Sequence, residues 1–262
     1  MSVASSSIAA NIEAVRERIL RAATHAGRKP EEITLVAVAK TFPAESIRLA
    51  YAAGIRHFGE NRVQEWEQKQ PLVEDLDATW HLVGHLQSNK VSKAVRLFHA
   101  IDSLDSLPLA QKLDRAVGGL GETGGQSFSS DMGASGPGPS VGAGLAPPSA
   151  VVAVLIEVCL APEETKSGIS QADLPGLAEA VLGLPHLNLR GLMCVPPYIE
   201  DPEQVRPYFR RLRELRDALV TRLGRALPEL SMGMSHDFEV AIEEGATQVR
   251  LGTAVFGLRA QK

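Results

Sequence analysis

The sequence predicts an α/β protein, a single (β/α)8 barrel of the TIM type with an N-terminal helix in front of it. Three observations carry this prediction. Strand-like and helix-like segments alternate along the chain, there are eight of each, and 262 residues of 44% hydrophobic composition are enough to close one core of that size. An open doubly wound sheet is the alternative architecture.

The leading helix is expected from Ile8 to Ala26, because Ile12, Val15, Ile19 and Ala23 recur at helical spacing. Strands are expected at 33–39, 56–60, 79–84, 97–103, 151–158, 188–195, 229–233 and 248–252, and helices at 44–53, 62–70, 88–95, 105–116, 171–182, 203–223 and 236–244. Strands joined through helices run parallel. A closed barrel then sorts the loops: those after strands form the functional face, those after helices the opposite rim.

The segment from Gly118 to Ala150 breaks the rhythm with Gly, Ser and Pro and few large apolar residues, so it is expected to be a disordered insertion in an otherwise single 1–262 domain. It follows a helix, which puts its exit on the rim away from the functional face. Within it, GLGETG spells a dinucleotide-binding loop, but no strand precedes it and no helix opens in it, so the match is read as chance.

Composition narrows the partners. With 27 Lys+Arg against 31 Asp+Glu the net charge is -4, which offers no basic field to nucleic acid. The opening residues lack the apolar core of a signal peptide, and VVAVLI at 151–156 is too short to span a bilayer. Cys159 and Cys194 lie in apolar strand-like runs and are expected to be reduced thiols, giving a cytoplasmic address.

The chemistry begins at LVAVAKTF, where a run of Leu, Val and Ala ends on Lys40. Strand alternation places Lys40 on the face of Val36 and Val38, with its amine in the barrel mouth. A lysine there can simply pack its stem and snorkel to water. Desolvated, it becomes a neutral amine able to attack a carbonyl. Barrels build anion sites from the loops after strands seven and eight. Here those loops offer Gly233 and Ser235 in SMGMSHD, with Ser235 expected to cap a helix near His236, and Gly252 and Thr253 in RLGTAVFG.

The blocks AVAKTFPAESI, FGENRVQE, WHLVGHLQSNKV, EETKSGIS, GLMCVPP and LSMGMSHDFEVAIEEGATQVRLGTAVFG resemble the pyridoxal phosphate homeostasis protein family of YggS/PROSC type. They span nearly the whole chain outside the insertion and the two ends. The resemblance implies a fold-type III barrel like the N-terminal domain of alanine racemase, and pyridoxal 5'-phosphate held on Lys40 as an internal aldimine. It also implies that Ser235, Gly252 and Thr253 hold the phosphate, that Arg250 faces the pyridine nitrogen, and that Asn61 and Met232 or Gly233 line the pocket. The chain departs from the family pattern at Ala39, where Ser is common, at Arg62, where Tyr is common, and in its ending GLRAQK.

Two functions of different classes follow. One is a carrier that buffers intracellular vitamin B6 and hands it to apo-enzymes; the other is a racemase-like enzyme of weak activity. The carrier is favoured, with no catalytic residue assigned. An arginine at the ring nitrogen discourages its protonation and weakens the ring as an electron sink, and no second domain supplies an acid–base tyrosine. Tyr198 is the enzyme-like candidate and is read as a rim aromatic. His81 and His85 straddle a strand end without a third ligand, so no metal is expected. The run 206–225 reads as a solvated helix face, Lys90 and Lys166 are placed near the opening, and a monomer is expected.

Overall fold

The structure, a computed structural model, describes residues 3–122, 151–160 and 167–258. Its strands are β1 (Thr34–Val38), β2 (His57–Glu60), β3 (Thr79–Leu82), β4 (Ala100–Leu104), β5 (Val152–Glu157), β6 (Leu187–Met193), β7 (Glu229–Ser231) and β8 (Gln248–Leu251). They pair in parallel in chain order and close, β1 meeting β8 with Val36 opposite Arg250, so the sheet is the expected eight-stranded barrel.

The helices are α1 (Val3–His25), α2 (Ala44–Ala52), α3 (Val63–Lys69), α4 (Val91–Leu97), α5 (Leu107–Glu122), α6 (Leu174–Leu182), α7 (Arg206–Leu223), α8 (Phe238–Glu243) and α9 (Thr253–Phe256). α1 takes the place in the ring between β8 and β1. Its buried stripe of Ile8, Ile12, Val15, Ile19 and Ala23 packs into the core, and Asn11 Nδ2 donates to Val255 O at 3.1 Å.

Most elements fall within a few residues of the sequence expectation, and two differences stand out. The fourth strand begins at Ala100 rather than 97, because buried Val91, Ala94 and Val95 keep α4 helical through Leu97. The four-residue α9 was not expected, since one turn is too short to show a period. The basic run on α7 is also less solvated than expected. Arg206, Arg210 and Arg213 converge on Glu244, whose side chain is 5% exposed, and clamp α7 to the end of α8.

The strands divide their side chains between two buried layers. Ala37, Phe58, Leu82, Ile101, Val154, Ile156, Leu189, Leu230, Val249 and Leu251 belong to the apolar layer between sheet and helices. The alternate residues point into the lumen, where a Cβ on Gly59 would lie 3.1 Å from Val36 Cγ1, 3.3 Å from Val38 Cγ2 and 3.3 Å from Val83 Cγ1.

Residues 118–122 of the insertion complete α5, so GLGETG starts inside a helix and not after a strand; the expected disorder from 123 to 150 lies outside the described residues. Among the described residues no helix is long and apolar enough to cross a membrane. Neither cysteine forms a disulfide among the described residues: Cys194 is buried, which pushes its pKa up to about 12, and Cys159 is only half-buried.

Candidate functional site

β1 stops at Val38, one residue short of the expected end, and Lys40 opens a turn at the carboxyl end of the barrel. It is half-buried there. The turn is held in an unusual shape: Thr41 has φ 67°, the left-handed region that L side chains seldom adopt. Phe42 stacks on Phe256 of α9 with ring centroids 4.8 Å apart, joining the Lys40 turn to the loop after β8.

The loops after β7 and β8 meet each other, although not as the sequence suggested. Ser235 does not cap a helix. α8 starts at Phe238, Asp237 Oδ1 closes the loop by accepting the Met234 N–H at 2.6 Å, and Ser235 Oγ accepts the Ala254 N–H at 3.2 Å. With that acceptor role filled, the Ser235 hydroxyl proton remains available to donate. Gly252 and Thr253 open α9, where the first N–H groups of a helix have no intrahelical acceptor.

Gly233 is required where it stands. Its φ is 91°, and a Cβ would sit 2.6 Å from Ala241 Cβ and 2.9 Å from Phe238 Cα. Met232, one residue past the end of β7, is fully buried in the apolar core.

Arg250 lies in the lumen, 5% exposed. Its Nη1 donates to Ser231 Oγ at 2.7 Å and its Nη2 to Cys194 O at 2.7 Å. Burial lowers its pKa, opposed by Cys194, Asp102, Glu157 and Asp237. A guanidinium starts so high that it stays charged. Beneath it Gln248 Nε2 donates to Ser231 Oγ at 3.0 Å and to Asp102 Oδ2 at 2.6 Å. His81 Nδ1 meets Asp102 Oδ2 at 3.2 Å, and His81 Nε2 meets His57 Nδ1 at 3.1 Å. Desolvation and the neighbouring His81 push His57 down to about 4. The chain of contacts crosses the lumen from β2 to β6 and fixes the guanidinium from below.

Glu157, at the end of β5, is a second buried group facing this space. Burial pushes its pKa up to about 7, Asp105 adds to the rise, and Arg250 and His85 oppose it. The other side of the mouth is wetter. A cleft of about 790 Å3 opens between the loops after β2 and β3, with Asn61, Arg62, Glu65, His85 and Lys90 in its wall. Asn61 and Gly84 touch closely there, since a Cβ on Gly84 would fall 2.4 Å from Asn61 O.

The two histidines part company. His81 joins the lumen chain while His85 pairs with Asp105 at 3.1 Å, and no group of three ligands that could hold a metal ion occurs among the described residues. Tyr198 is 76% exposed and its ring lies 5.2 Å from that of His236, on the rim. Lys166 lies outside the described residues.

The structure therefore brings Lys40, Gly233, Ser235, Arg250, Gly252 and Thr253 to one end of the barrel, with Asn61 at its edge. Glu157, Asp102, His57, Gln248 and Ser231 escaped the sequence reading. Their signal was present: in QVRLG the polar Gln248 and Arg250 alternate with the core residues Val249 and Leu251, the pattern of a polar lumen.

Residues 10–260 match the family profile described as alanine racemase, N-terminal domain. A pyridoxal phosphate homeostasis protein of Aquifex aeolicus (strain VF5) is 45% identical over 245 residues, covering 94% of this chain and 95% of that one. The protein of the same name from Pseudomonas aeruginosa is 43% identical over 254 residues, covering 97% and 96%. Among solved structures, PipY of Synechococcus elongatus PCC7942 with PLP bound superposes with a TM-score of 0.75 at 36% identity, covering 95% of this chain and 100% of that one. Alanine racemase of Corynebacterium glutamicum, at 16% identity and TM-score 0.61, covers 97% of this chain and 62% of its own, and shares the fold.

Proposed function

We propose, from the premise that this chain belongs to the pyridoxal phosphate homeostasis protein family, that it binds pyridoxal 5'-phosphate covalently through Lys40 and buffers or hands over the cofactor in the cytoplasm. The relatives are named for homeostasis and not for a reaction, which fits a carrier. The observation that carries the reading is the stacking of Phe42 on Phe256, which ties the Lys40 turn to the loop that offers Gly252 and Thr253.

The donor set suits the group. Bound there, pyridoxal phosphate supplies an electrophilic carbonyl carbon and a ring able to withdraw electrons. Lys40 supplies the amine that bonds the carbonyl. The Ser235 and Thr253 hydroxyls, with the N–H groups of Gly252 and Thr253, are donors for a phosphate. Gly233 keeps the loop after β7 close to its own helix, and Asn61 borders the opening. Arg250 keeps further guanidinium protons beyond the two bonds to Ser231 and Cys194, and would have one to donate to the ring nitrogen. A nitrogen that accepts from a permanent cation stays unprotonated, and broad amino-acid chemistry weakens accordingly.

The racemase-like reading needs a second acid–base group. Tyr198, exposed on the rim, is poorly placed for that part. Assays of racemisation against transfer to a cofactor-free enzyme separate the two readings: transfer without appreciable turnover is expected, and rapid racemisation overturns the carrier. We expect a monomer, which sedimentation checks.

Two smaller effects are expected. Ser235→Ala removes one phosphate donor and the tie to Ala254, and should weaken cofactor binding by about fivefold, the worth of one hydrogen bond near 1 kcal/mol; unchanged affinity in a spectrophotometric titration removes Ser235 from the site. Deleting 123–150 should leave that titration unchanged, because α5 ends and β5 begins on the rim away from Lys40.

A further inference from the structure

A cluster of charges grips the Lys40 turn from the helix side. The Lys69 ammonium, on α3, donates to Glu60 Oε1 at 2.6 Å, Ala39 O at 3.0 Å, Glu65 Oε1 at 3.2 Å and Phe42 O at 3.4 Å. Two of these acceptors are main-chain carbonyls on either side of Lys40 and Thr41. The Thr41 N–H donates in turn to Glu65 Oε1 at 2.5 Å. α3 is a firm base for the grip: Trp66 is fully buried, stacks on Trp80 with centroids 4.0 Å apart, and donates its indole N–H to Leu97 O at 2.9 Å.

Stability does not account for this arrangement. The Lys69 side chain is 12% exposed and that of Glu60 is fully buried, and an apolar pair of similar volume generally stabilises a fold at least as well as such an ion pair. Glu60 Oε2 has no hydrogen-bond partner among the described residues. Thr41 adds a left-handed backbone in direct contact with the same cluster. Unfavourable features of this kind persist where the surroundings over-determine them, and they gather where geometry serves a function.

We propose that Lys69, with Glu60 and Glu65, is a positioning cluster for Lys40, holding the 39–42 turn so that the amine meets an incoming aldehyde from one fixed direction. This rests on Lys40 being the residue that bonds the cofactor. The bond formed is C=N, the carbonyl oxygen leaves as water, and no electrons are transferred to or from another reagent.

The test uses the full chain stripped of cofactor, with pyridoxal 5'-phosphate as one probe and formaldehyde with cyanoborohydride as the other. Lys69→Met alone strands the Glu60 charge, so it is paired with Glu60→Gln in one protein; Glu65→Ala, on a more exposed side chain, is the second variant. Leu113→Ala on α5 is the control for lowered thermal stability, because it lies on a helix away from the turn.

The double variant should capture pyridoxal phosphate about tenfold more slowly, as expected when a reacting group loses its alignment. Its bound cofactor should also show weaker induced circular dichroism. Glu65→Ala should be slowed about threefold by the same argument. Formaldehyde, which needs no single approach direction, should label Lys40 at the wild-type rate in both, and the control should capture normally. Equal capture and equal dichroism in wild type and both variants overturn the positioning role. A proportionate slowing of the control does so as well, since it makes the effect one of stability. Wild type that captures the cofactor at no residue, or at one other than Lys40, instead overturns the functional reading on which the proposal rests.

Discussion

Replacing Lys40 with alanine is expected to abolish covalent retention of pyridoxal 5'-phosphate. In the wild-type chain, borohydride should convert the bound cofactor to a stable adduct, and peptide mass analysis should find it on Lys40. In Lys40→Ala the donors proposed for the phosphate at Ser235, Gly252 and Thr253 remain, so the cofactor should still visit the mouth but should dissociate on dialysis. The loss in apparent affinity should be at least about a hundredfold, or ~2.7 kcal/mol. The size of the effect follows from the bond: an imine adds to the phosphate contacts a covalent link that no neighbouring hydrogen bond replaces. An adduct that persists at another lysine in the alanine variant would refute the assignment.

Glu157→Gln should produce the second large effect, on stability and with a definite pH signature. Burial holds the Glu157 pKa at about 7, above the 4.5 of an unperturbed glutamate. A raised folded-state pKa means that the folded protein keeps the proton more tightly than the unfolded chain does. Its stabilising contribution is complete below the unfolded pKa and is lost as pH rises towards about 7. The unfolded chain ionises freely through this window while the folded chain resists. The loss is about 3 kcal/mol across it, at 1.36 kcal/mol per pKa unit. Glutamine does not titrate. The variant should therefore gain about 3 kcal/mol on wild type in urea unfolding between about pH 4.5 and about pH 7, with the difference constant above that. A pH-independent offset between the two proteins would show that the Glu157 carboxyl is not raised.

The two predictions test different parts of what could be read from the chain. Lys40 was legible because an ammonium at the end of LVAVA stands out against its neighbours, and because the carboxyl ends of barrel strands face one opening. Glu157 was visible only as the residue that stops VVAVLI; its pKa is raised by burial inside the closed barrel, with Asp105 adding to the rise and Arg250 and His85 opposing it, and those groups come from three other parts of the chain. Ser235 shows an intermediate case. Its position beside Gly233 was readable, but a serine ahead of a helix can cap it or bond elsewhere, and here the loop after β8 supplies the N–H that it takes.

Alternation of apolar strands with amphipathic helices determined a parallel sheet flanked by helices, because the periods of 2 and 3.6 are properties of the local chain and parallel strands require crossovers, and the count of eight favoured a closed barrel over an open sheet. It also determined which residues could reach the mouth. Only closure of the barrel decided the rest: that Arg250 is held by Ser231 and Cys194, that Met232 is fully buried in the apolar core, and that Lys69 crosses from α3 to grip the turn at Lys40. Hydrogen bonds and Coulomb forces act between whichever groups the fold brings within a few ångströms, and the distance along the chain does not enter them.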